Sequence, residues 1–163
     1  MQLTQLGNNL GILQKKNNKQ TVSIAESSSG GLISAALLSI PGASSYFVGG
    51  GIIYTQEARR ELLNLPKEIA TMRAATEEYA ALVAQAIQKK MNTTWGLSES
   101  GASGPSGNRY GDDAGHVCVA VSGPVKKSVT FETSSNSREE NMWAFAKIAI
   151  QLLEEAITEN SFE

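Results

Sequence analysis

The chain has 163 residues, of which 41% are hydrophobic and 18% are charged, so it can bury the core of one domain and does not have the composition of a disordered chain. Its formal net charge of -2 argues against a nucleic-acid binder that relies on general attraction to phosphates. The single cysteine, Cys118, excludes an intramolecular disulfide, and one cysteine with one histidine is too few for a structural zinc site.

The first half of the chain alternates helical and strand patterns. Leucines at helical spacing predict an N-terminal helix over residues 1–16, and the apolar run at 21–25 predicts a strand. A helix is predicted over 31–39, where Pro41 follows. Residues 46–54 predict a second strand, and the three glycines within it are typical of a bulge or a close backbone approach.

The second half contains three predicted helices and three predicted strands. In chain order these are a short helix at 57–63, a longer helix that begins after an N-cap at Thr76, a strand at 95–98, two strands at 117–121 and 128–133 that form a hairpin, and a helix at 138–157. Because strands alternate with helices early and pair as a hairpin late, we predict an α/β fold with a mixed sheet flanked by helices. No repeat or linker divides the chain, so residues 1–163 are predicted to form one domain with its core over 20–157.

Three loops rich in glycine and serine are the candidate binding segments. They read AESSSGG at 25–31, PGASSYF at 41–47 and SESGASGPSG at 98–107. The first lies between a strand and a helix, where unpaired backbone N–H groups favour an anion, although a serine there can equally be a plain N-cap. Neither a P-loop nor a dinucleotide fingerprint is present. Since ligand crevices form at strand ends in open α/β sheets, the three loops together predict a polar pocket of phosphate size.

The remaining reactive side chains favour structural roles. His116 begins an apolar strand, and Cys118 lies inside it, which is typical of a core histidine and of an inert buried thiol. Asp112 and Asp113 are interpreted as a solvated loop.

Taken in order, several stretches resemble the CinA C-terminal domain family, the nicotinamide mononucleotide deamidases. The longest is TVSIAESSSGGLISAALLSIPGASSYFVGGGIIYTQEARRELLNLP, and the others are AATEEYA, SGASGPSG, AGHVCVAV and SREE. Together they cover nearly all of residues 20–157. The resemblance implies a three-layer α/β/α domain that forms a homodimer.

The resemblance also implies an activity and its residues. The expected reaction is hydrolysis of the carboxamide of nicotinamide mononucleotide to nicotinate mononucleotide and ammonia, with Ser27 as the nucleophile. Tyr54 and Arg138 match active-site positions of the family. Ligand contacts are implied at the Gly/Ser loops, namely at Ser29, Gly30, Gly31, Ser44, Ser100, Gly101 and Gly104.

The main departure from the family pattern is Arg59, which stands where the family has a lysine that serves as the general base. A lysine can lose its proton near neutral pH when its surroundings lower its pKa, whereas a guanidinium stays protonated. Arg59 is therefore expected to orient the substrate or stabilise an oxyanion, and loss of a positioned base typically costs about 10²–10⁴-fold in rate. Ser28 and Ser29 replace the family's cysteine and threonine and keep the side chains small.

The sequence leaves three functions open: a slow amidohydrolase, a nucleotide-binding domain that has lost its base, and a dimeric scaffold that binds nothing. His116 as a substitute base is a further hypothesis. No metal or organic cofactor is implied, and the expected ligand is a small nucleotide. No apolar run nears the ~20 residues of a membrane span, and the N-terminus lacks a secretory pattern, so we expect a cytoplasmic protein.

Overall fold

The computed structural model describes residues 2–11 and 19–161. Five strands are present there: β1 (Val22–Glu26), β2 (Phe47–Ile52), β3 (Trp95–Gly101), β4 (His116–Ser122) and β5 (Lys127–Glu132). The α-helices are α1 (Leu3–Gly7), α2 (Leu32–Leu38), α3 (Gln56–Glu61), α4 (Lys67–Ala70), α5 (Glu77–Met91) and α6 (Arg138–Asn160). Short 3₁₀ helices occupy Asn8–Gly11 and Ala43–Ser45.

The strands form one mixed sheet in the order β2-β1-β3-β4-β5. β1 pairs in parallel with β2 and with β3, whereas β3–β4 and β4–β5 are antiparallel. The chain moves from β1 to β2 on one side and then crosses to β3 on the other, so β1 and β3 flank a topological switch point. The predicted hairpin and mixed sheet are confirmed.

Helices cover both faces of the sheet. Alternate residues of β4 show this: Val117, Val119 and Val121 pack in the core with α2 and α6, whereas Cys118 and Ala120 pack against α5. Because side chains of a strand alternate between its faces, the two helical layers lie on opposite sides. The predicted three-layer α/β/α architecture is confirmed.

Most predicted elements are present with shifted ends. Thr76 is the N-cap of α5, since its hydroxyl accepts a hydrogen bond from the Tyr79 N–H. Of the predicted N-terminal helix, the described residues show α1 and a 3₁₀ turn that begins at Asn8, and its predicted continuation over residues 12–16 lies outside the described residues. Helix α4 was not predicted. No helix of the described chain has both the length and the apolar character required to cross a bilayer.

Candidate functional site

The turn between β1 and α2 begins at a buried carboxylate. Glu26, the last residue of β1, is fully buried and accepts hydrogen bonds from the N–H groups of Gly31, Ile33 and Ser34 at 2.9–3.0 Å. A helix leaves the N–H groups of its first turn without intrahelical partners, and its N-terminus favours negative charge. Glu26 therefore caps α2 from inside the protein and fixes the direction in which the helix leaves the sheet.

A second buried carboxylate, Glu99 on β3, holds the same turn from the neighbouring strand. Its Oε1 accepts from the backbone N–H groups of Ser27 and Ser29, both at 2.9 Å, and its Oε2 accepts from the Ser28 hydroxyl at 2.5 Å. Only 2% of Glu99 is exposed. Burial raises the pKa of Glu99, and the hydrogen bonds from Ser28 and Ser29 offset this only in part.

Ser29 joins the two carboxylates. Its Oγ lies 2.7 Å from Glu26 Oε1 and 2.6 Å from Glu99 Oε1. One hydroxyl carries one proton, so two full hydrogen bonds require a second proton on this carboxyl pair. Burial raises the pKa of Glu99, which is one member of this pair. Ser29 is fully buried, so it organises the turn, and it is not among the residues that line the cleft described below.

A cleft of about 480 Å³ opens beside this turn. It lies at the carboxyl ends of β1, β2 and β3, where the topology of an open sheet places a ligand crevice. The residues that line it are Ser27, Tyr54, Thr55, Gln56, Glu57, Arg59, Ala74, Ala75, Ser100, Gly101, Asn108, Arg109 and Tyr110. The structure thus brings five of the sequence-predicted residues together, namely Ser27, Tyr54, Arg59, Ser100 and Gly101.

Ser27 lies on the wall of the cleft. It is half-buried, and its backbone is fixed by Glu99, while its hydroxyl has no hydrogen-bond partner among the described residues. Two other lining residues of the cleft are also joined, because the Ser100 hydroxyl accepts a hydrogen bond from the Ala75 N–H at 3.0 Å. The cleft therefore presents one unengaged hydroxyl on a rigid turn.

Arg59 is buried in the same cleft as a fixed cation. Only 6% of the residue is exposed, its Nη1 donates to the Ala70 carbonyl at 3.1 Å, and its guanidinium carbon lies 4.9 Å from the centre of the Tyr79 ring. Burial raises the pKa of Tyr79 to about 12, even though the Arg59 charge opposes the shift. A guanidinium offers no lone pair, so Arg59 cannot take a proton from Ser27.

Tyr54 and Arg138 meet at the rim of the cleft. Arg138 Nη2 donates to the Tyr54 hydroxyl at 3.4 Å, and its Nη1 donates to the carbonyl of Gly104. Tyr54 is 53% exposed and lines the cleft, whereas Arg138 and Gly104 do not. Arg138 therefore joins the start of α6 to the loop after β3, and Gly104 serves as its acceptor.

Three other predicted ligand contacts are not brought to the cleft. Ser44 precedes β2 and is exposed at the opposite end of the sheet from Ser27, because the carboxyl ends of parallel strands share one edge. Gly30 and Gly31 have φ angles of 66° and 102°, a left-handed backbone that glycine adopts without strain. Their role is to form the turn, and they do not line the cleft.

Comparison with known proteins identifies the family. A sequence profile described as CinA C-terminal domain matches residues 6–157. The chain belongs to this family. A CinA-like protein of Desulfosudis oleivorans is 35% identical over 137 residues, which are 83% of this chain, and the chain spans 33% of the length of that relative.

Solved structures show the same fold. The competence damage-inducible protein A (ComA) of Klebsiella pneumoniae superposes with a TM-score of 0.86 at 21% identity, over 97% of this chain and 98% of that chain. The competence/damage inducible protein CihA of Agrobacterium tumefaciens has a TM-score of 0.81 at 25% identity, over 94% of each chain. The CinA-family fold therefore extends over nearly the whole of the present chain.

The loop at 108–112 in this CinA-family domain contributes cleft residues that the sequence analysis missed. Arg109 donates to the Tyr110 hydroxyl at 2.9 Å and stacks on its ring at 5.0 Å. Asp112 was interpreted as solvated, but its carboxylate accepts from Arg73 at 2.9 Å and from Asn108 at 2.8 Å. These contacts close the loop, and only the alternation of charged and aromatic residues in its sequence hinted at them.

His116 supports the cleft from behind. Its Nδ1 lies 2.5 Å from Glu132 Oε1, and its Nε2 lies 2.8 Å from the carbonyl oxygen of Ala75, which lines the cleft. The carbonyl only accepts, and the carboxylate accepts when ionised, so the ring is doubly protonated. Burial lowers the pKa of His116, but the hydrogen bonds to Ala75 and Glu132 and the charges of Asp112 and Glu132 outweigh it, so the pKa is raised.

This protonated state gives no support to the hypothesis of His116 as a substitute base. Cys118 lies behind the cleft as well, where its thiol donates to the Ala75 carbonyl at 3.3 Å, and burial raises the pKa of that thiol. Among the described residues, no group of histidine, cysteine and acidic side chains is arranged to hold a metal ion.

Replacing Glu99 tests the claim that its carboxyl group fixes the Ser27 turn. We expect Glu99→Ala to lower the free energy of unfolding by about 3–5 kcal/mol, because two backbone N–H groups and a buried hydroxyl lose their acceptor. Glu99→Gln should cost less, about 1 kcal/mol, since its amide oxygen can still accept from the N–H groups of Ser27 and Ser29. Glu57→Ala removes an exposed carboxylate of the same cleft and is the control. Urea unfolding measures all three, and equal losses in the Ala and Gln variants would contradict the account.

The pH dependence of stability tests His116. Because its folded pKa is raised above the unfolded value of about 6.5, its contribution is complete below that value and is lost as the pH rises through the folded pKa. His116→Gln should therefore lower the free energy of unfolding by about 2 kcal/mol at acidic pH, and by progressively less as the pH rises from about 6.5 through the folded pKa. Chemical unfolding from about pH 5.5 to 9 measures the difference, and a pH-independent difference would refute the assignment of an imidazolium.

Proposed function

We propose that this CinA-family domain binds nicotinamide mononucleotide, or a pyridine nucleotide much like it, and hydrolyses its carboxamide. The observation that carries the proposal is the unengaged hydroxyl of Ser27, held on a rigid turn at the carboxyl edge of the sheet. The resemblance of the motifs to the deamidases supplies the substrate class. The cleft of about 480 Å³ falls in the usual range for a small-molecule site.

The proposed reaction proceeds through an acyl-enzyme. Ser27 Oγ attacks the carboxamide carbon, the C–N bond breaks, and ammonia leaves with the proton of the serine hydroxyl. Water then hydrolyses the ester, which gives the pyridine carboxylate and restores Ser27. Arg59 is the buried cation of the cleft and is available to stabilise the oxyanion of the tetrahedral intermediate.

Turnover by this route is slow, because the position of the family's lysine is filled by a group that cannot accept a proton. A positioned general base contributes typically about 10²–10⁴-fold in rate. The hydroxyl proton of Ser27 must then pass to solvent or to the leaving amine.

The second candidate is a nucleotide-binding domain that does not hydrolyse its ligand. The specific observation in its favour is the anchoring of Arg59 by the Ala70 carbonyl and the Tyr79 ring, which holds a permanent cation beside Ser27. Both candidates use the same cleft, and they differ in whether ammonia is released.

We also propose the homodimer that is common in the family. Val48 and Ile52 on the edge strand β2 are 48% and 45% exposed, and Leu62 after α3 is 61% exposed. Large apolar side chains at a free sheet edge favour contact with a second copy.

Ammonia release from nicotinamide mononucleotide separates the two candidates. If the domain is an enzyme, the wild type releases ammonia, Ser27→Ala abolishes the release, and Arg59→Lys raises it by at least about tenfold because a base returns. Arg60→Lys, at the exposed neighbouring residue, is the matched control and should change nothing.

Two results would contradict hydrolysis. Undiminished ammonia release by Ser27→Ala would remove the proposed nucleophile. Absence of release from both the wild type and Arg59→Lys, with nucleotide still bound, would leave the binding domain as the function.

A further inference from the structure

The buried guanidinium of Arg59 lacks a counter-charge. Its Nε is buried without a hydrogen-bond partner, and its Nη1 bonds to a neutral carbonyl, that of Ala70. The ion pairs found in the described chain involve other residues, and none includes Arg59. By contrast, Arg73, at the far side of the 108–112 loop, is paired with Asp112 at 2.9 Å.

Such an arrangement is costly unless something else compensates the charge. Removing a cation from water costs several kcal/mol in a protein, and a carbonyl and an aromatic face compensate only part of this. The contacts with Ala70 and Tyr79 also hold the group in place, so it cannot leave for solvent as an exposed arginine would. Arg59 lines the cleft, which is where a compensating anion can enter.

We propose that Arg59 is a binding residue for an anionic pair of oxygens on the ligand, of the kind carried by a carboxylate or a phosphate. A guanidinium donates from a planar fork of N–H groups that can pair with two oxygens. A lysine is a point charge and lacks this fork, so the arginine changes which group the cleft recognises at that position. This inference rests on the proposed function for the identity of the ligand.

The proposed reaction gives the inference a particular consequence. A nicotinamide nucleotide presents a neutral carboxamide at the ring, whereas its hydrolysis product presents a carboxylate, and both carry the same phosphate. If Arg59 pairs with the ring substituent, the acid form binds more tightly than the amide. If Arg59 pairs with the phosphate, the two forms bind alike, and removal of the phosphate weakens both.

The experiment is a calorimetric titration of four probes: nicotinamide mononucleotide, nicotinate mononucleotide, nicotinamide riboside and inorganic phosphate. The proteins are the wild type, Arg59→Gln, Arg59→Lys and, as a control that removes a charge from an exposed neighbour, Arg60→Gln. We expect Arg59→Gln to weaken binding of the anionic probes by about 10–100-fold, because a charge-assisted hydrogen bond is lost. Arg60→Gln should leave every affinity within about twofold.

The pattern across the probes identifies the oxygen pair. A loss confined to nicotinate mononucleotide assigns the carboxylate. An equal loss for both mononucleotides, shared by inorganic phosphate and absent for the riboside, assigns the phosphate. Three results would overturn the proposal. Arg59→Gln could bind every probe with wild-type affinity, or it could lose as much affinity for nicotinamide riboside, which has no phosphate or carboxylate, as for the anionic probes. The folded wild type could also fail to bind any anionic probe.

Two measures keep the test independent of folding and of hydrolysis. The free energy of unfolding is measured for each variant. If Arg59→Gln does not fold, Arg59→Lys is used, because it keeps the positive charge. A loss of about tenfold in the affinity of Arg59→Lys for the anionic probes supports the role of the fork, and wild-type affinity contradicts it. Inorganic phosphate requires no pyridine nucleotide. Arg59-dependent binding without ammonia release would support this inference while refuting hydrolysis.

Discussion

The fold around the cleft depends on the hydrogen bonds that two buried carboxyl groups make to the turn after β1. Glu26 takes the N–H groups at the start of α2, and Glu99 takes those of Ser27 and Ser29. Without these acceptors the turn would bury backbone donors that cannot reach water, at a cost of about 1–3 kcal/mol each. Because Glu99 belongs to β3, the same interaction joins the two strands that flank the switch point and fixes Ser27 in the wall of the cleft.

The chemistry of the cleft follows from what surrounds that serine. Ser27 presents an unengaged hydroxyl to the cleft, and its cationic neighbour Arg59 is a permanent donor. The geometry is therefore better suited to holding an anion, or stabilising an oxyanion, than to removing a proton. His116 does not supply a base instead, because its Nδ1 is engaged by the Glu132 carboxylate and its Nε2 by the Ala75 carbonyl. The two functions proposed above, slow hydrolysis and binding without hydrolysis, are thus both compatible with this architecture.

Local patterns predicted much of the fold, since strand β1, the glycine turn and the N-cap at Thr76 depend on residues close in sequence. They also pointed to the serine loops at 25–31 and 98–107, which contribute residues to the cleft. The contacts that organise the site join distant segments: Glu99 meets a turn some 70 residues earlier, and His116 meets Ala75 across 41 positions. Periodicity carries no information about such pairs. Ser44 shows a further limit, because a serine loop has the same local pattern at either end of a strand, and this one lies away from the cleft.

The most direct test of the account is a two-dimensional ¹⁵N–¹H spectrum recorded while nicotinamide mononucleotide is added. If the cleft at the carboxyl ends of β1 and β3 is the ligand site, the amide signals of Ser27, Gly101 and Arg109 shift with a common affinity, and that of Ser44 does not. Shifts concentrated around Ser44, or no shifts at millimolar nucleotide, would contradict it.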